Sequence, residues 1–297
     1  TASVWDGTYP VDKPLDMPAV VDGVQEVTTA AQFAWLASQT DMFPAGVTTV
    51  KLMVDIDLDN RLWTPSGGLA SGSAATGNIF DGNGHTISKL NADQKLIGAD
   101  NFSALFVGAN VGAPIVKDLV IDGATVEATG AHSFAAVVVA ANDFGGDFIN
   151  ITVKNATVKA TKYAGGISTY SSSYDGGANF TNCAVEGLTI EVQEMLAGTA
   201  VDKPHVGGIL GYMNEGKFSG NTVKDLTITV HPVAGQPVAT ERVGVLIGTA
   251  QANVLVGTYD ISNVTYNTAP YTKIIGLDVR TYKVVNTTQM LGYTTIQ

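Results

Sequence analysis

Four carboxylates stand outside the alternating segments of this sequence: Asp143, Asp147, Asp175 and Glu215. Hydrolysis of a glycosidic bond needs two such groups facing each other, one held protonated as acid and the other ionised. The four fall in successive variable loops, and loops stacked on one side would bring them together. None, however, lies in an Asp-Asp, Asn-Thr-Asp or Gly-His-Gly setting, and Asp is favoured in loops for its turn geometry alone. The expectation is a non-enzymatic chain, with a polysaccharide-degrading lyase or glycosidase as the alternative. A better lead is aromatic: Phe144, Tyr163, Tyr170, Tyr174 and Tyr212 surround the same insertions, and TYSSSYDGGANF from Thr169 mixes two tyrosines with Ser, Asp and Asn. Tyrosine offers apolar area at low entropic cost with a polar tip, which suits a carbohydrate face or a protein partner. These five are the candidate ligand-binding residues.

Other groups point to structure. Asp55, Asp57 and Asp59 alternate along one segment, about 6.5 to 7 Å apart on one face. That is too wide for three carboxylates to share a calcium ion, so a solvated strand face is expected. The histidines His85, His132, His205 and His231 lack metal-ligand spacing. No metal and no cofactor is expected. His132 and His205, with Tyr163 and Arg242, are read as equivalent places forming a ladder on one exterior edge. The single cysteine, Cys183, excludes an intramolecular disulfide and reads as a small core residue.

What must position these side chains is a repeat. Five small-residue and β-branched hexads recur: NFSALF from Asn101, SFAAVV from Ser133, YAGGIS from Tyr163, HVGGIL from His205 and RVGVLI from Arg242. Each is followed by an alternating strand containing a Gly, Asn or Asp turn residue. Taking Gly123, Asn155, Gly187, Asp225 and Asn263 as equivalent, the steps are 32, 32, 38 and 38 residues, and Lys89 extends the series back by 34. A unit of this size cannot bury its own apolar face, so neighbours must stack. At each turn residue the alternation slips by one, which marks a corner. The fold class expected is all-β, a single-stranded right-handed parallel β-helix with an N-terminal capping helix. Residues 1–27 read as an extended leader and 28–297 as a single domain. Within it the helix covers about 29–38, with Thr29 and Gln32 at capping-box spacing. Repeated coils cover about 48–266, and a C-terminal cap about 267–297. VKLMVDIDL from Val50 reads as one uninterrupted period-two strand.

Composition limits the partners. Net charge is −11, only Arg61, Arg242 and Arg280 are arginines, and charged residues make up 14% of the chain. With no basic stripe, nucleic acid and anionic membrane are excluded as expected partners. The longest apolar runs are too short to span a bilayer. An oligomer is not required, because capped stack ends favour a monomer.

The run TTAAQFAWLAS, VKLMVDIDLDN, WTPSGG, FDGNGHTISKL, FSALFVG and VGGILGY, in that order, resembles bacterial cell-surface β-helix proteins built from GLUG-type repeats. The resemblance covers roughly residues 26–266. It departs from the pattern between Ser133 and Ala140, which lacks paired glycines, and at Val245, which replaces the second one. It implies a protein that is either secreted or attached to the outer cell surface by a lipid anchor. It also implies an adhesin-type function toward an extracellular glycan or a host or matrix protein.

Overall fold

The computed structural model describes residues 1–64, 68–69, 77–93, 95–97, 99–108, 113–142, 145–172, 177–238, 241–280, 282–284 and 293–295. Its architecture is mostly β, with one helix and large parallel sheets in which consecutive repeats lie rung on rung. Ile115–Asp122 pairs with Gly146–Ala160, that strand with Ala178–Thr181 and Ala184–Gln193, these with Leu210–Ser219 and Asn221–His231, and these with Ile247–Val256 and Tyr259–Tyr266. The turn residues read as equivalent from sequence fall opposite one another, as the flanking registers Asp122↔Lys154, Lys154↔Glu186, Glu186↔Lys224 and Lys224↔Ser262 require.

Backbone chemistry explains the corners. Lys89, Gly123, Asn155, Gly187, Asp225 and Asn263 all have φ between 50° and 76°. This is the left-handed region that Gly and Asn enter at least cost. A second left-handed bend lies five residues earlier in all but the last of these repeats, at Gly84, Asp118, Asn150, Asn182 and Gly220. Side chains at these bends bond across repeats: Asn150 Nδ2 donates to Asp118 Oδ1 at 2.8 Å, Asn155 Nδ2 to Asp122 Oδ1 at 2.9 Å, and Asn263 Nδ2 to Asp225 Oδ1.

Between the corners, apolar side chains alternate inward and stack on their counterparts. Phe148, Phe180 and Phe218 form an interior column with centroids 4.9 and 4.7 Å apart. Cys183 is fully buried, its thiol donating to the Phe148 carbonyl at 3.3 Å, and burial pushes its pKa up to about 12. Its neighbours in register are Ile151 and Asn221; the latter satisfies its buried amide by accepting from Cys183 N and donating to Phe180 O, both at 2.9 Å.

The helix Ala30–Ser38 closes one end. Thr29 Oγ1 accepts from Gln32 N at 3.3 Å, and Gln32 Oε1 reaches back to Thr28 N at 2.7 Å. Phe33 stacks on Trp63 at 5.3 Å, and Trp5 meets Trp63 edge-on at 5.1 Å. Residues 1–27, expected to be a leader, are therefore woven into this end. Ser3–Val4 pairs with Ile56–Asp57, and Val24–Val27 pairs with Thr49–Leu52. VKLMVDIDL is two strands rather than one, Thr49–Leu52 and Ile56–Asp57, stacked on Ile79–Asp81 and Thr86–Ser88 respectively. The chain must bend where its neighbour bends, so Val54, on the inward face of the alternating pattern, is only part-buried while Leu52 and Ile56 on either side are fully buried. At the other end Ile275–Asp278 pairs with Ile247–Val256. No helix among the described residues is long and apolar enough to cross a membrane.

Candidate functional site

The hexads build the site. Their first halves form a second parallel sheet, Asp100–Ser103, Ser133–Ala136, Tyr163–Gly165, His205–Gly207 and Val243–Gly244. The chain then turns sharply and continues in the large sheet, as in Ser168–Ser171 and Leu210–Ser219. The turn is too tight for side chains in the middle repeats: a Cβ on Gly166 would lie 2.3 Å from the Gly208 carbonyl oxygen. One face of the small sheet, Ala135, Ala164 and Val206, joins the main core, whereas Phe102 and Phe134 form a separate apolar cluster with Val107, Ala140 and Ala141. Tyr163 and Tyr170 pack against that cluster from the outside. The two sheets thus enclose a cleft on the exterior of the main core.

The register inside the small sheet differs from the hexad alignment. Asn101 faces Ser133, but Phe134, not Ser133, faces Tyr163. The ladder is therefore Phe102, Phe134, Tyr163, His205 and Arg242, and His132 is not part of it. The rings stack with centroids 4.6, 4.8 and 4.7 Å apart from Phe102 to His205, the spacing of the strands that carry them. Arg242 Nη1 ends the column 3.2 Å from His205 Nε2. Guanidinium can only donate, so Nε2 is the acceptor and the neutral imidazole carries its proton on Nδ1, 2.7 Å from Thr249 Oγ1. Burial, with the Arg242 and Lys162 charges nearby, pushes the His205 pKa down to about 3.

Tyr170 and Tyr212, opposite each other in register, lie across the column. Tyr170 meets Phe134 at 70° and Tyr163 at 58°, both with centroids 6.1 Å away. Tyr212 meets Tyr163 at 83° and 6.2 Å, and His205 at 89° and 5.4 Å. All three tyrosines are part-exposed, and burial raises the Tyr163 phenol pKa. The groove before them holds about 340 Å³. Its rim carries Asp100, His132 and Lys162; His132 Nδ1 is 3.3 Å from Lys162 Nζ and 3.8 Å from Asp100, and Lys162 is 3.4 Å from Asp202.

Three of the five aromatic candidates, Tyr163, Tyr170 and Tyr212, thus meet in one cleft. Phe144 and Tyr174 lie outside the described residues, as do Asp143 and Asp175. Of the other carboxylates, Asp147 accepts from Asn179 Nδ2 at 2.8 Å, a bond like those at the corners. Glu215 stands two repeats away from it, where its register partner is Asn253. The pair is not brought face to face. Asp55, Asp57 and Asp59 each have their own partner, His85 at 3.0 Å, Lys89 at 2.6 Å and Arg61 at 3.1 Å. No group of three metal-ligating side chains occurs among the described residues. Sequence reasoning missed Asp100, Phe102, Phe134 and Lys162 because of the one-residue register difference. The signal for it was an aromatic ring at the second hexad position in two repeats and at the first in a third.

Segment lengths single out the same cleft. From the strand after it to the strand before it, the path is fourteen residues in each of three repeats: 146 to 160, 178 to 192 and 216 to 230. Across the cleft it is six from 102 to 108 and seven in the next three repeats, 134 to 141, 163 to 170 and 205 to 212. The connection entering it varies, three residues from Ala160 to Tyr163 but thirteen from Val192 to His205. The one leaving it varies too, eight from Tyr170 to Ala178 and four from Tyr212 to Gly216. No protein-family model, curated protein or solved structure matches the chain.

Proposed function

We propose that the stacked repeats, with the N-terminal strands that pair onto their capped end, form one right-handed parallel β-helix, and that this is a secreted or surface-attached binding protein of the adhesin type. It acts without catalysis as a monomer and engages an extracellular glycan or protein in the cleft at Tyr163, Tyr170 and Tyr212. The observation that carries this reading is that length variation among these repeats is concentrated on both rims of one aromatic cleft, while the path across it changes by one residue at most and the path away from it keeps fourteen. In solenoids, per-repeat insertions gather on one face, often the binding face. The exposed tyrosine pair between those rims supplies the rigid amphipathic area that recognition surfaces use.

The test is an array of glycans and matrix proteins probed with the purified protein, with the same wells assayed for new reducing ends or unsaturated products. Binding without product, lost in a Tyr170→Ala/Tyr212→Ala double variant, is the expected result. Product release would replace the adhesin by the polysaccharide-degrading alternative.

A further inference from the structure

We propose that the cleft takes a neutral oligosaccharide and discriminates against acidic ones. This rests on the cleft being the ligand site and adds the chemistry of what fills it. Three observations carry it, and the first concerns the backbone. An extended peptide is commonly recognised by pairing with a free strand edge. The strands on both sides of this cleft pair with their neighbours above and below, Tyr163–Gly165 with Ser133–Ala136 and His205–Gly207, and Ser168–Ser171 with Val139–Ala141 and Leu210–Ser219. The cleft therefore presents side chains and offers no edge to an added strand.

The second observation is the ring geometry. Phe134 and Tyr163 are stacked on both faces within the column, so their faces are already occupied. Tyr170 and Tyr212 stand steeply across that column and are part-exposed. Tyr212, which lines the groove, is the ring placed to meet the apolar C–H face of a sugar. The third is charge. Lys162 is countered by Asp202 at 3.4 Å, and Asp100 adds a second carboxylate on the rim, in a chain of net charge −11. A uronate or sialate would meet the Asp100 carboxylate beside His132 and an ammonium already paired with Asp202, whereas sugar hydroxyls can donate to Asp100 and accept from Lys162. The volume of about 340 Å³ is at the small end of ligand sites, a size for one or two sugar rings at a time.

The experiment is titration calorimetry of the whole protein with neutral oligomers of glucose, galactose and mannose, and with oligogalacturonate of matching length. At least one neutral oligomer should bind, oligogalacturonate more weakly or not at all. Tyr212→Ala should weaken neutral binding about tenfold. Asp100→Asn, at an exposed rim position that carries no part of the core, should weaken it severalfold and leave circular dichroism unchanged. Tighter binding of oligogalacturonate, or neutral binding indifferent to both substitutions, overturns the proposal. Capture of a matrix protein through the same tyrosines with no sugar bound overturns it while leaving the cleft assignment standing; no ligand at all removes both.

Discussion

A histidine wedged between a tyrosine ring, a threonine hydroxyl and a guanidinium has one comfortable charge state. His205 stays neutral in the folded chain, with a pKa of about 3, whereas in the unfolded chain it titrates near about 6.5. Between those values the unfolded state binds the extra proton, so this residue's contribution to stability is complete above about pH 6.5 and is lost as pH falls toward 3. His205→Phe, which keeps the stack and has precedent in Phe102 and Phe134, should flatten that part of the profile. The measurement is the wild-type minus variant difference in thermal midpoint at pH 7 and at pH 4. Cys183 makes a second residue-level case. With its thiol buried and raised to about 12, it should resist alkylation at pH 8 until denaturant opens the core, because the thiolate is the reacting form. Rapid labelling of the native protein would contradict its placement. At this scale the sequence was informative wherever residue type alone determines geometry. Gly123, Asn155, Gly187, Asp225 and Asn263 are types that enter the left-handed region cheaply, and all do so. Asp118, Asn150 and Asn182 do the same but passed unnoticed, because they interrupt what reads as continuous alternation.

Elements are positioned by what they stack on, and this is where reading from sequence is weakest. VKLMVDIDL has the pattern of one strand, yet it bends at Val54 because the repeat stacked on it turns at Asn83 and Gly84. The cleft column was hidden for a related reason: hexads that look equivalent differ in register by one, a matter decided between strands rather than within one. The capping helix was legible, since Thr29 and Gln32 carry a local signature. What the signature did not reveal is that Gln32 Nε2 also holds the Asp16 carbonyl at 3.1 Å, tying the N-terminal segment to the helix. Gln32→Ala should cost about 1–3 kcal/mol, read from chemical denaturation, because it removes a fully buried amide that holds both Thr28 N and the Asp16 carbonyl. Gly166→Ala tests the hexad turn. Its added methyl group would press on the Gly208 carbonyl and on Val185 and Leu188, and a loss of about 1–3 kcal/mol in the same assay is expected.

For the whole molecule, stability should be distributed as in a one-dimensional stack, with each repeat answering mainly to its neighbours. Trp5 is the keystone of one end, 1% exposed and packed against Trp63 and Tyr9. Trp5→Ala should cost about 3–5 kcal/mol. Hydrogen exchange should show where: amides of the Thr49–Leu52 and Ile56–Asp57 strands lose protection first, while those of Asn221–His231 keep theirs. Uniform loss of protection would mean a single cooperative unit instead.

The hairpin formed by Met195–Ala197 and Ala200–Asp202 sits in the longest of the connections entering the cleft. The strands on either side of it keep their registers, Val192↔Val230 before and His205↔Tyr163 after. Ten residues more than the preceding repeat carries at that point are thus accommodated without shifting a rung. The corner behaves as a socket: a foreign loop inserted at its tip, at Gly198, would be displayed on the connection that enters the cleft, making the scaffold a ready-made frame for grafting new specificities.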